Sequence, residues 1–266
     1  MKTRSRFYKI EPIPRMRRFV FDAGQMGRRR HIIHGLIEVD VTLAREALRV
    51  HKAATGEALS FTAYVIACLG RALELNEHLY AHRDWRNRLI IFDEVTVTAM
   101  IETEVRGKKI PLPHIFKAIN KKSFREIHTE MRASQKAPAA SSEGRFMRWI
   151  TYLPGFLRRG FFQVVIKFPT LLPEISSSVL VTAVGMFGEG GGWGIPMSNY
   201  TLGVTVGGIV KKPGVVGDQI AIREYLDLTL SIDHDIVDGA PAARFTSQFK
   251  SLIESGYGLV EQEVAT

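Results

Sequence analysis

The stretch Tyr225–Gly239 constrains this chain more than any other. From Tyr225 to Ile232 apolar and polar side chains alternate, so Leu226, Leu228, Leu230 and Ile232 share one face of a strand. That face needs a core to lie against. At the end of the run stand Asp233, His234 and Asp235, and four residues after the histidine come Asp238 and Gly239. Ala240 to Glu254 then has helical character. A strand, a sharp turn and a helix in this order put His234 where the sheet stops, held by it yet open to a cleft. Histidine also takes up and releases protons near neutral pH. A lone histidine beside an aspartate is more often a satisfied structural group than a general base, so the spacing needs support from the rest of the chain.

The rest of the chain reads as alternating strands and helices. Residues 1–30 form a basic N-terminal arm with a short helix. A strand is expected at Leu36–Val41, then a helix capped by Thr42 and ended near Gly56, and a second helix capped by Ser60 and running to Leu75. Strands follow at Leu89–Phe92 and Val95–Ile101, and Ser123 caps a helix through Met131. Strands return at Val179–Ala183, Thr201–Val210, Ile220–Ile222 and Tyr225–Ile232, with a last helix ending near Gly256. Lys136–Gly144, rich in alanine and serine and holding Pro138, reads as a flexible connector. With 266 residues and 45% apolar content, the chain suits one large domain over 1–266. Mixed strands, helices and hairpins point to an α+β sandwich and not to a doubly wound parallel sheet.

Composition excludes several classes. The single cysteine, Cys68, rules out an internal disulfide framework and fits a reducing compartment. It lies on the apolar face of Phe61, Tyr64, Val65 and Leu69 and reads as a core thiol. No signal peptide opens the chain, and the uncharged Gly190–Val210 is too rich in glycine, with Pro196 and Asn199, to span a membrane. A cytoplasmic protein without a transmembrane segment is therefore expected. The net charge of +9 comes without a zinc-finger, helix-turn-helix or RNA-binding motif, so nucleic acid is not the expected partner. His31 and His34 lack a third ligand, so no metal is expected. Gly188-Glu189-Gly190-Gly191-Gly192-Trp193-Gly194 misses the dinucleotide spacing and reads as a flexible loop near the site.

Asp233-His234-Asp235, Asp238-Gly239-Ala240 and Ala243-Arg244-Phe245 resemble the active-site segment of the dihydrolipoamide acyltransferases, which reads D-H-R-x-x-D-G-A and then A-R-F. Asp235 stands where the enzymes of 2-oxoacid dehydrogenase complexes carry Arg. The wider superfamily, chloramphenicol acetyltransferase included, keeps only H-x-x-x-D-G. Further stretches fall in the family's order: Pro12–Arg18, Ile37–Thr42, Leu59–Tyr64, Phe92–Val97, Lys122–Ile127, Val184–Gly188 and Leu202–Val204. Together they cover most of residues 12–256. The segment within 138–172 does not match and reads as an insertion.

The resemblance implies a chloramphenicol-acetyltransferase-like sandwich, a mixed central sheet flanked by helices. It implies a coenzyme A-dependent acyltransferase acting on a dihydrolipoamide-like thiol or another acceptor. His234 would be the general base. Thr182, in Thr182-Ala183-Val184-Gly185, stands where the family's S-x-L-G strand supplies the oxyanion donor, although a threonine in a strand is also simply a good β residue. Asp238 would orient the site through an arginine. Asp233 and Gly239 would be structural, Gly239 by a backbone conformation that a side chain would block. The implied assembly is a homotrimer, or trimers of higher order, with the site between subunits. A lipoyl group would come from a separate carrier protein. The polar tail Val260–Thr266 weakens the expectation of cube formation, and the aromatic, basic segment Arg145–Leu172 reads as helices packing on the body or between subunits, or as a lid. The competing reading is a non-catalytic oligomeric scaffold.

Overall fold

A computed structural model describes residues 8–13, 17–28, 30–105, 108–136, 150, 152–171, 177–185 and 190–259. In chain order the elements are α1 (Arg17–Gly27), β1 (Ile32–Asp40), α2 (Thr42–Thr55), α3 (Phe61–Glu74), a short hairpin β2 (His82–Arg83) and β3 (Leu89–Ile90), β4 (Val97–Val105), β5 (Lys108–Phe116), α4 (Phe124–Lys136), α5 (Gly155–Lys167), β6 (Val179–Ala183), β7 (Leu202–Val216), β8 (Gln219–Asp233) and α6 (Gly239–Glu254). Six strands form one mixed sheet in the order β1-β8-β7-β6-β4-β5. β6 runs parallel to both of its neighbours, and the other pairs are antiparallel. The expected α+β sandwich with a mixed sheet and flanking helices is what the chain forms.

Alternation along β8 decides which face the helices cover. Leu226, Leu228 and Leu230 are fully buried and pack with Tyr64 of α3 and with Phe245 and Phe249 of α6. The two phenylalanine rings stack at 5.8 Å. Burying each such ring is worth about 2–3 kcal/mol. Cys68 belongs to this core, and burial pushes its thiol up to about 12. The opposite face carries Thr205, Asp227, Thr229 and Ser231, also buried. A segment at 190–200 crosses it: the Gly192 N–H donates to the Asp227 carboxylate, and the Trp193 indole N–H donates to the Ile37 carbonyl at 3.1 Å.

Local chemistry sets several helix ends. The Ser60 hydroxyl accepts from the Ala63 N–H at 3.3 Å. Ser123 and Glu126 form a reciprocal capping box, with Ser123 N–H to the Glu126 carboxylate at 2.7 Å. Gly56 closes α2 in the left-handed region at φ 75°. Thr42 is not the cap of α2 but its first residue. The Asp40 carboxylate, two residues earlier, takes both the Thr42 N–H and hydroxyl, at 2.9 and 2.6 Å. The expected strands at 220–222 and 225–232 are one strand, β8.

The described part of residues 138–172 packs on the body. Arg158 of α5 is buried against Asp22 of α1, and the two form an ion pair. Phe168 lies beside Trp85 at 6.0 Å, and the Trp85 N–H donates to the Lys167 carbonyl at 3.2 Å. The connector at 137–149 and the tail at 260–266 lie outside the described residues, as does most of the arm at 1–16. Among the described residues no helix is long and apolar enough to cross a membrane.

His82 gives the hairpin a pH dependence. Burial, and then the charge of Arg30, push its imidazole down to about 4 from its ordinary 6.5. Between those values the unfolded chain takes up a proton that the folded chain refuses. Stability is therefore full above pH 6.5 and falls as the pH drops toward 4. In urea melts at pH 7 and 4.5, wild type should lose more stability than His82→Phe; equal losses would contradict this.

Candidate active site

β8 is buried from Leu226 through Asp233, and the next residue, His234, is exposed. The change happens at one carboxylate. Asp233 is 3% exposed and accepts from Arg30 Nη1 through Oδ2 at 2.5 Å. Its Oδ1 accepts the Asp235 N–H at 3.2 Å. Its carbonyl accepts the N–H groups of Ile236 and Val237 at 3.1 and 3.0 Å. Asp233 thus ends the strand and closes the turn that carries His234. The His234 N–H donates to the His31 carbonyl at 2.8 Å, so β1 holds the backbone on the other side.

Asp235 is drawn back toward the sheet. Its Oδ1 meets His31 Nδ1 at 2.8 Å, and its Oδ2 meets Arg83 Nη1 at 3.3 Å. The His31 hydrogen bond, with the charges of His31, Arg83 and Arg30 behind it, holds this carboxyl below its usual range. His31 and His34 do not act together: His34 Nδ1 bonds the Ser231 hydroxyl at 2.9 Å.

Two sequence expectations need correction. The arginine-tied aspartate of the motif is Asp233, not Asp238. Asp238 is the exposed N-cap of α6, and its side chain makes no capping hydrogen bond. Gly239 is the first residue of α6, and a Cβ built there would meet nothing within 4 Å, so no blocked backbone conformation accounts for it. The close approach lies elsewhere. At Gly185 a Cβ would fall 1.7 Å from the Gly207 carbonyl oxygen, and at Gly207 it would fall 2.3 Å from the Gly192 carbonyl oxygen. There the loop, the end of β6 and the irregularity in β7 stack backbone on backbone. They leave an open cleft of about 210 Å³ between Val184, Trp193 and Gly208.

Thr182 is on β6, beside that cleft. It pairs with Thr205, and Thr205 pairs with Thr229 of β8. Two strand spacings and the five residues from Thr229 to His234 put Thr182 roughly 19 Å from His234 within one chain. The fold brings Asp233, His234 and Asp235 together and leaves Thr182 apart from them.

Residues 175–260 match the family model of the 2-oxoacid dehydrogenases acyltransferase (catalytic domain). This match takes in about the last third of the chain. The acetyltransferase component of the pyruvate dehydrogenase complex of Acholeplasma laidlawii is 43% identical to it over 72 residues, 25% of this chain and 13% of that protein. The chain thus matches about an eighth of that relative's length. A probable dihydrolipoamide acetyltransferase of Listeria monocytogenes superposes with a TM-score of 0.72 at 21% identity, over 98% of this chain and 99% of the other. The cubic core of a pyruvate dehydrogenase multienzyme complex superposes at 0.71 and 16% identity, over 96% of each chain. The acyltransferase fold therefore covers nearly the whole chain, and the sequence likeness concentrates on β6 to α6, where Thr182 and His234 lie.

Sequence reasoning missed Arg30, His31 and Arg83 as members of the site. No local pattern marks them, because each reaches the turn from more than a hundred residues away. The Arg30–Asp233 pair is open to test. Arg30→Met leaves the buried carboxylate unpaired and should destabilise the fold by about 3–5 kcal/mol, read from urea unfolding at neutral pH. A loss below about 1 kcal/mol would show that the pair does not hold the turn.

Proposed function

We propose that this chain is an acyltransferase that moves an acyl group between coenzyme A and a thiol acceptor of the dihydrolipoamide type, with His234 as general base. The carrying observation is that His234 is presented by a turn anchored on all sides, inside the segment that matches the acyltransferase catalytic domain. The imidazole removes the proton of the attacking thiol. The thiolate adds to the thioester carbonyl carbon, and the negative charge passes to the carbonyl oxygen. The Thr182 hydroxyl donates to that oxygen. When the intermediate collapses, the other thiolate leaves and recovers the proton from the imidazolium. Asp233 anchors the base-bearing turn, and Asp238 and Gly239 start the helix behind it. Coenzyme A is a substrate in this scheme, and an acceptor lipoyl group comes on a separate carrier protein. The net charge of +9 suits phosphate-bearing and acidic partners.

His234 and Thr182 cannot serve one substrate from one chain, given their separation. The site therefore forms between subunits of a trimer, each giving His234 to one neighbour and offering Thr182 to the other. Two observations support this. A structural neighbour forms a cubic core, whose corners are threefold axes. The loop beside Thr182 leaves Ile195 and Met197 62% and 78% exposed, with Trp193 and Val184 also open to solvent, an apolar patch suited to burial in an interface.

His234→Ala should lower acyl transfer at least ~100-fold with folding and assembly intact. Thr182→Val should lower the maximal rate roughly 100-fold, while Thr182→Ser keeps it. Steady-state assays with acetyl-coenzyme A and dihydrolipoamide read both. A folded His234→Ala variant at wild-type rate would refute the base. Wild-type protein folded as an oligomer but inert to every acyl-coenzyme A and acceptor would favour the scaffold. Mass in solution checks the assembly: a trimer or a multiple of three is expected, and a clean monomer or dimer would contradict it.

A further inference from the structure

The Asp235 carboxylate touches two segments far apart in sequence. His31 stands just before β1, and Arg83 lies on the β2–β3 hairpin. The same His31 accepts the His234 N–H through its carbonyl. One residue therefore grips the base-bearing turn twice, by its backbone at His234 and by its ring at Asp235. The grip at Asp235 extends further. Arg83 shares its hairpin with Asp84, whose Oδ1 accepts the N–H groups of Arg86 and Arg88, both at 2.8 Å, and whose Oδ2 accepts from the Arg88 side chain. Trp85, at the tip, is tied to Phe168 and to the Lys167 carbonyl at the end of α5. The hairpin is thus a rigid bracket. It is fixed at one end to α5 and reaches the active-site turn through the Arg83–Asp235 contact.

We propose that Asp235 is a positioning residue for His234, joining the base-bearing turn to His31 and to the α5-braced hairpin through Arg83. This rests on His234 being the general base. A partly exposed ion pair of this kind adds little stability, so its effect should appear in geometry. Asp235 stands next to His234 in the chain, and the backbone direction at 234 and 235 sets where the imidazole points. An arginine at 235, as in the dehydrogenase-complex enzymes, would set like charge against Arg83 and Arg30 and could not make this junction. The arrangement is thus specific to a chain with an acidic residue here.

The test is a set of steady-state measurements on the full-length oligomer with acetyl-coenzyme A and dihydrolipoamide. Asp235→Ala should lower kcat about 10- to 100-fold, with both KM values changed less than about twofold and the melting temperature unchanged. Arg83→Met should give a similar loss, and the double variant Arg83→Met/Asp235→Ala should lose little more than either alone. Because Asp235 acts through His234, adding Asp235→Ala to His234→Ala should cost nothing further. An Asp235→Ala enzyme as fast as wild type, with His234→Ala inactive, overturns the positioning role and leaves the base standing. An equal extra loss in the His234→Ala background also overturns it, since the effect would then not pass through the imidazole. A His234→Ala enzyme at full rate removes the base itself. Should Asp235→Ala fail to fold, Arg83→Met and Asp235→Asn carry the same comparisons.

Discussion

The ion pair between Arg30 and Asp233 is the constraint on which the site depends. A carboxylate with 3% exposure is costly to bury unless its charge is matched and its lone pairs are used. Asp233 meets both demands at once, with Arg30 on one oxygen and the Asp235 N–H on the other. Its own carbonyl then takes two further N–H groups of the turn. The sheet can therefore stop abruptly. β8 is buried from Leu226 up to this residue, His234 is exposed directly after it, and Val237 returns to the core at 2% exposure before α6 begins. A turn with unsatisfied backbone could not make this excursion in three residues.

The elements around the turn form a frame that also takes in α5. α1 leads into Arg30 and is tied to α5 by the buried Asp22–Arg158 pair. α5 leads into Phe168, which braces Trp85 on the β2–β3 hairpin. The hairpin presents Arg83 to Asp235, beside His234. α5 thus supports two of the contacts around the turn, through α1 and through the hairpin. The negative charge of Asp235 fits this frame, because His31 and Arg83 receive it.

Much of this was legible in the sequence wherever the signal is local. β6 falls at Val179–Ala183 as read, because a short apolar run between breakers suits a central parallel strand. The Ser60 and Ser123 caps were legible because a hydroxyl before a helix has one dominant use. β5 was not read, because Pro111 and Pro113 argue against a strand, and only its edge position admits them. β7 was cut short at Val210 because Lys211-Lys212-Pro213-Gly214 looks like a turn; pairing with β8 carries it on to Val216. Asp233 stands in the sequence motif, but its partner Arg30 lies 203 residues away, and only the fold brings them together. The same holds for the separation of Thr182 from His234, which no spacing in the sequence reveals.

That separation makes the subunit boundary the central claim. Two inactive variants, His234→Ala and Thr182→Val, can be co-expressed so that their subunits mix. Each mixed trimer then has one boundary where an intact His234 faces an intact Thr182. Random mixing at equal amounts should restore about a quarter of wild-type activity, while each variant alone stays near zero. Mixed trimers confirmed by mass but with no recovered activity would contradict a site shared between subunits.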